Sequence, residues 1–425
     1  MCKSIKHDSG VEDSTPELIG IFDHRLGETL LALSSCARVG SSSTCSSMMI
    51  NEKEGLASKI IERKEAFSQA PEGAVLSGPN LLHGICAGAS CLPVARNQRS
   101  YENIPLDFIH SEFRPRTVFQ PLTRLEKIPR LWNPIVESPD GKKESYSDLY
   151  RIVLRRRLNP NQERTLIASI IPPGWGHIHS VISCSFKDHA ALLWAAALAM
   201  SLPIDFRFRA ADRMDFMPED FEYISSIRIP DNTDMAHSIF IRVLMLTCFN
   251  NEFADIWSKS FASKFKHDQW SDESPFTDNH RFSRLSQCWD QSFFLRNDSI
   301  RRLACIEIDV LVSMALGLSL DQLVTTYAVQ FPVLTLYERS AVYDSSGHIA
   351  QTKNKQISKR LPKSISILES QTRLEHDWNS AALQPLGKDS STVLTREFVP
   401  PYTRRNRIAD YGKAWRHFAE RFPSS

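Results

Sequence analysis

Residues 159–180 read NPNQERTLIASIIPPGWGHIHS. A run bearing Arg151, Arg155, Arg156 and Arg157 leads into this polar turn. An apolar stretch over 165–171 follows, then a Pro172-Pro173-Gly174-Trp175-Gly176 break, then His177 and His179. Short apolar runs bounded by Pro and Gly read as strands rather than helices. Outward from this stretch, residues 48–188 keep the same habit, with apolar pieces at 74–76 and 151–154 set between turn signals.

Beyond residue 188 the pattern changes. Asp188 is placed to cap an apolar helix, HAALLWAAALAMSL, that Pro203 should end. A second apolar helix is expected over 237–249. From Asp298, residues Ile300, Leu303, Ala304, Ile308, Leu311, Met314, Ala315 and Leu318 recur at helical spacing, and Gly317 marks the stop. Ser319 can cap a further helix to about Gln330. After Tyr343 the chain turns polar and basic (Lys353, Lys355, Lys359, Arg360, Lys363) and is expected to run over the surface. A last amphipathic helix over 407–422 should carry Ile408, Tyr411, Trp415 and Phe418 on one side. The expected class is α+β, a β-rich region followed by a helical support. Its parts are a flexible segment 1–47 (SSSTCSS at 41–47 as connector), a β-rich region 48–188, a helical region 189–340, and a basic surface segment with a C-terminal helix, 341–425.

Bulk properties set limits on function. The chain has 425 residues, 42% hydrophobic and 24% charged, ordinary values for a globular protein with a sizeable core. A net charge of +2 means that affinity for a polyanion must come from local clusters of Arg and Lys. Nine cysteines without a CxxC pair point to reduced thiols, a cytoplasmic setting and no zinc site. The opening MCKSIKHDSGVEDST lacks an apolar core, so no signal peptide is expected. The longest apolar run, from Ala190 to Leu202, falls short of the ~20 residues a membrane span takes, so no membrane partner is expected.

Catalytic patterns are incomplete. Val399-Pro400-Pro401-Tyr402 has the shape of an amine-binding tetrad, but valine cannot accept the amine's hydrogen bond, and the segment reads as a turn. No G-x-G-x-x-G, P-loop or Gly-x-Ser-x-Gly pattern occurs. Pro139-Asp140 has no Asp/Glu-x-Lys after it at nuclease spacing. His177 and His179 would share one strand face, yet no carboxylate or Cys stands near them to finish a metal site.

The basic clusters carry more. Arg114 and Arg116 flank Pro115, Lys142 and Lys143 sit in a turn, and Arg155, Arg156 and Arg157 form a triplet. Arg207, Arg209 and Arg213 interleave with Phe206, Phe208 and Phe216. Guanidinium and ammonium groups neutralise phosphates, and side-chain forks read base edges, so these ten residues are the candidate DNA contacts. Solvated surface charge and internal salt bridges are the alternative.

Several segments resemble, in the same order, the C-terminal portion of large adenine-specific DNA methyltransferases of bacterial phage-defence and restriction systems (DISARM, the BREX PglX-like methylases, and single-chain type IIG enzymes). They are VLSGPN (75–80), RPRT (114–117), YRIVLR (150–155), ERTLIA (163–168) with IIPPG (170–174), LPIDF (202–206), 306–318, QFPVLTLYER (330–339), and FVPPY (398–402) with 411–418. Residues 210–220, AADRMDFMPED, depart from the Gly-Lys-Thr/Ser loop of that family. The resemblance implies a target-recognition region without the catalytic domain. It would bind duplex DNA and dock on a catalytic methyltransferase or defence-system subunit, where S-adenosylmethionine would sit, so no cofactor is expected in this chain. The alternative is a scaffold that does not bind DNA, or a residual fragment of a broken methyltransferase gene.

Overall fold

The computed structural model describes residues 23–63, 74–92, 100–274, 277, 278, 280–358, 361, 372–380 and 392–423. The class is α+β, with most strands before residue 188 and the long helices after it. At the centre lies an antiparallel sheet in the spatial order Ser43–Ser47, Val181–Phe186, Arg151–Arg155, Ala168–Ile171. Along Val181–Phe186 the period of two separates the faces. Ile182, Cys184 and Phe186 enter the main core, and the buried Ser183 and Ser185 alternate with them. Ser183 Oγ lies 2.8 Å from Tyr146 Oη and 2.7 Å from His177 Nε2, so its burial leaves no polar atom stranded.

Two expectations for residues 1–47 are corrected. Ser43–Ser47 is an edge strand rather than a flexible connector, with Thr44 Oγ1 2.7 Å from Ser185 Oγ. Its side chains are small and polar, so no apolar alternation announces it, and the neighbouring strand supplies the ladder. His24–Ser35 is a helix capped by Asp23 that buries Leu26, Leu30 and Leu33. Residues 1–22 lie outside the described residues.

A second sheet runs Gly176–His177, Val75–Leu76, Phe119–Pro121, Ile61–Arg63 over its own smaller core of Ile61, Val75, Phe119, Leu125, Ile128, Trp132 and Tyr146. The Pro-Pro-Gly-Trp-Gly break joins the two sheets. Gly174 turns the chain at φ 76°, and Trp175 is fully buried against Phe249.

The helix His189–Met200 packs across the central sheet and is buried from Ala191 onward, which is why it is apolar on every side. Asp188 caps it, accepting from the Ala191 amide at 2.7 Å. It stops at Met200, ahead of Pro203, which instead sits in the first turn of a second helix, Leu202–Ala210. That placement suits proline, whose missing N–H costs nothing there. The helix expected over 237–249 spans Thr233–Thr247, started by Asn232. Asp298–Ala315 and Leu320–Gln330 follow as expected. Gly317 lies at φ 71° between them, and Ser319 and Gln322 form a reciprocal cap.

Past residue 340, more order appears than a surface segment implies. Val342–Tyr343, Ile349–Gln351 and Thr403–Arg404 form a three-stranded sheet, and Leu374–Ser380 pairs with Thr392–Phe398. Lys359, Arg360 and Lys363 lie outside the described residues. The last helix, Arg407–Arg421, buries Tyr411 and Phe418 and half-buries Trp415, while Ile408, in its first turn, is 43% exposed. No single helix among the described residues is long and apolar enough to cross a membrane.

Candidate nucleic-acid interface

The ten candidate cations are not presented alike. Lys142 and Lys143 are exposed at the tip of a hairpin formed by Ile135–Glu137 and Lys143–Ser145, turned by Gly141 at φ 74°. Arg157 is also exposed, with a side chain 67% accessible and its guanidinium 3.5 Å from Asp215. Arg156 meets the same carboxylate at 3.3 Å. Arg155 turns inward to donate to the Leu81 carbonyl, and burial lowers its pKa to about 10. Arg114 is exposed but paired with Glu252, and Arg116 donates to the Cys91 carbonyl at 3.0 Å. Arg213 pairs with Asp220. Arg207 lies 4.0 Å over the Tyr223 ring. Arg209 lies 4.1 Å over Phe331 and donates to Thr165 Oγ1 at 2.8 Å and to the Gln330 carbonyl at 2.5 Å. Runs close in sequence thus divide between outward groups and groups with structural partners. Beside the lysine hairpin, a small cleft of about 90 Å³ is lined by Asp140, Glu144, Asp148, Asp188 and Asp255, with His189 and Lys259.

The two histidines do not form a site. His177 is fully buried and bonded to Ser183, and burial lowers its pKa to about 3. His179 is partly exposed, with its amide donating to the Ile50 carbonyl at 3.1 Å. Among the described residues no group of three or more His, Cys, Asp or Glu is arranged to hold a metal. Residues 399–402 form a turn, with Tyr402 Oη donating to the Phe398 carbonyl at 3.0 Å.

Sequence reading missed the ionic core. Asp309, fully buried on the Asp298–Ala315 helix, accepts from Arg164 at 3.2 Å, Arg407 at 2.9 Å, Tyr411 Oη at 2.7 Å and the Leu202 amide at 2.7 Å. Burial pushes this carboxyl up, but Arg164 and Arg407 outweigh it and hold Asp309 below its ordinary value. Arg407 reaches on to Glu338 at 2.8 Å, and Glu338 also receives Arg302 at 2.6 Å. Nearby, both Asp205 oxygens accept from the Thr165 amide, at 3.1 and 3.0 Å, and burial lifts this carboxyl to about 6 against Arg164 and Arg209. Arg164 therefore pairs with a residue 145 positions further along the chain.

A broad open depression of about 610 Å³ is walled by Arg281, Arg296 and Arg396, with Phe108, Asn297, Asp107, His348 and Glu397. Its three arginines come from separate stretches of the chain, at 281, 296 and 396, so no one local cluster signals them together. No protein-family model matches the chain, and no curated protein matches it significantly.

Proposed function

We propose that the chain is a non-catalytic DNA target-recognition component of a split methyltransferase or phage-defence system, acting in the cytoplasm. One observation carries the reading. Five of the segments that resemble the methyltransferase C-terminal portion meet in one buried network around Asp309. Arg164 from ERTLIA, Leu202 from LPIDF, Asp309 from 306–318, Glu338 from QFPVLTLYER and Tyr411 from the last helix share one network, centred on Asp309 and joined to Glu338 through Arg407. Segments of that order therefore act together as one co-folded unit, β-rich on one side and helical on the other. The outward Lys142, Lys143 and Arg157 supply cations for phosphate contact, and every described cysteine is a free thiol, in keeping with a reducing compartment. Chemistry on an adenine would belong to a partner chain that holds S-adenosylmethionine.

Binding to labelled duplex DNA, measured as mobility shift across a salt series, tests the proposal. Affinity should fall steeply with salt as phosphates release counterions. Lys142→Ala with Lys143→Ala should weaken binding evenly across sequences, with the log–log salt slope reduced by about 2. No binding at low salt, with or without a catalytic partner, overturns the proposal. The second reading, a scaffold that does not touch DNA, draws on the inward partners of Arg155, Arg209 and Arg213.

A further inference from the structure

The depression between the paired strands Leu374–Ser380 and Thr392–Phe398 and the start of the Asp298–Ala315 helix gathers three arginines, Arg281, Arg296 and Arg396. Arg281 is anchored through Nη1 by two neutral carbonyls, Ser292 at 3.1 Å and Phe293 at 3.3 Å. These fix the guanidinium without cancelling its charge. Asp278 and Arg296 both stand close enough to act on Arg281, in opposite senses. Of the carboxylates present, Asp107 is engaged by Arg396, and Glu397 is held at 3.1 Å by Arg373. Two adjacent guanidiniums thus line an open volume, and among the described residues no carboxylate is hydrogen-bonded to either, with Asp278, Asp107 and Asp290 acting on them through space.

Guanidiniums that keep donors free at an open surface are ready ligands for an anion. The depression lies open on one side rather than enclosing its contents, which suits a phosphate carried on a chain more than a free ion. Its rim adds an aromatic surface. Phe108 is 37% exposed and meets Trp378 edge-on at 5.9 Å, and Arg396 lies 5.3 Å over the same Trp378 ring. Cationic groups interleaved with aromatic rings are the surface on which nucleic-acid strands rest, phosphate on the arginines and sugar or base on the ring. We infer that this depression is a phosphodiester-binding subsite for a nucleic-acid strand, with Arg281 and Arg296 as the phosphate ligands and Phe108 as the stacking surface. The inference rests on the DNA-binding reading above and places a contact far in sequence from the clusters at 114–213.

The test is duplex binding by the full chain over a salt series. Wild type is compared with the Arg281→Ala/Arg296→Ala double variant, with Asp107→Asn, and with Arg416→Ala, an exposed control on the last helix. One lost phosphate contact should reduce the log–log salt slope by about 1 in the double variant, and the control should match wild type. Asp107→Asn removes the nearest negative charge and should tighten binding at low salt. It decides the matter if the double variant does not fold. Binding by wild type with an unchanged slope in the double variant, or no tightening in Asp107→Asn, overturns the subsite and leaves the DNA reading standing. No binding by wild type overturns both.

Discussion

Two buried charge networks leave the same helix and are built in opposite senses. Around Asp309, one anion gathers two arginines, a tyrosine and a backbone amide. Around Arg242, one cation gathers Glu307 at 2.5 Å and Asp268 at 2.7 Å, with the Ser238 carbonyl at 2.7 Å and the rings of Trp270, Phe282 and Phe418 about it. Glu307 and Asp309 are two residues apart on Asp298–Ala315, and the last helix supplies Arg407 to one network and Arg421 to the other. The Asp309 network joins the β-rich half to the helices, whereas the Arg242 network joins helical-region elements to one another. The difference lies in what remains when the centre is removed. Stranded arginines cannot shed their charge, but a stranded carboxylate can take up a proton.

The largest effect should follow Asp309→Ala. It leaves Arg164 and Arg407 buried without their shared partner and should cost about 3–5 kcal/mol, read as a lowered urea midpoint. A loss below about 1 kcal/mol would mean that the network is not a weld between the halves. Arg242→Met should cost less, about 2–3 kcal/mol, because Asp268 keeps Arg421 and Glu307 keeps the Ser271 amide at 2.6 Å. The comparison sharpens with pH. Burial already holds Glu307 above its ordinary value in spite of Arg242, so the deficit of the Met variant should shrink as pH falls from neutral and the carboxyl takes up a proton. The Asp309→Ala deficit should show no such relief. Equal pH responses in urea melts of the two variants would erase the distinction.

A further pH effect concerns Asp205. Its folded pKa of about 6 stands above the ordinary 3.8, so the native state takes up its proton first. Stability therefore falls, by roughly 2–3 kcal/mol, as pH rises from about 4 to about 6. Asp205→Asn should flatten that part of the stability profile and gain on wild type at neutral pH. A wild-type curve already flat over this range would show that Asp205 is not strained by its burial.

What the sequence revealed follows the range of the interaction. The caps at Asp188 and Ser319, the glycine stop at 317 and the proline-punctuated strands all act over a few residues, and they were legible. Arg164 and Asp309 are 145 residues apart and Arg242 and Glu307 are 65 apart, and nothing in either neighbourhood announces the partner. The same blindness affects the basic clusters. Local density singles out Arg155, Arg156 and Arg157, but only the fold shows that Arg155 turns inward while Arg157 stays out. Arg281 and Arg296 are likewise brought together only by the fold.

The helix Arg407–Arg421 has a consequence for the order in which the molecule can be completed. Arg407 is made 98 residues after Asp309, and Arg421 is made 153 residues after Asp268. On a ribosome, the central sheet and the helices packed on it emerge first. Asp309 and Glu338 must then wait, short of counter-charge, while that stretch is synthesised. Over that interval the nascent chain holds a half-closed ionic core. The network closes only when Arg407 arrives with the last helix.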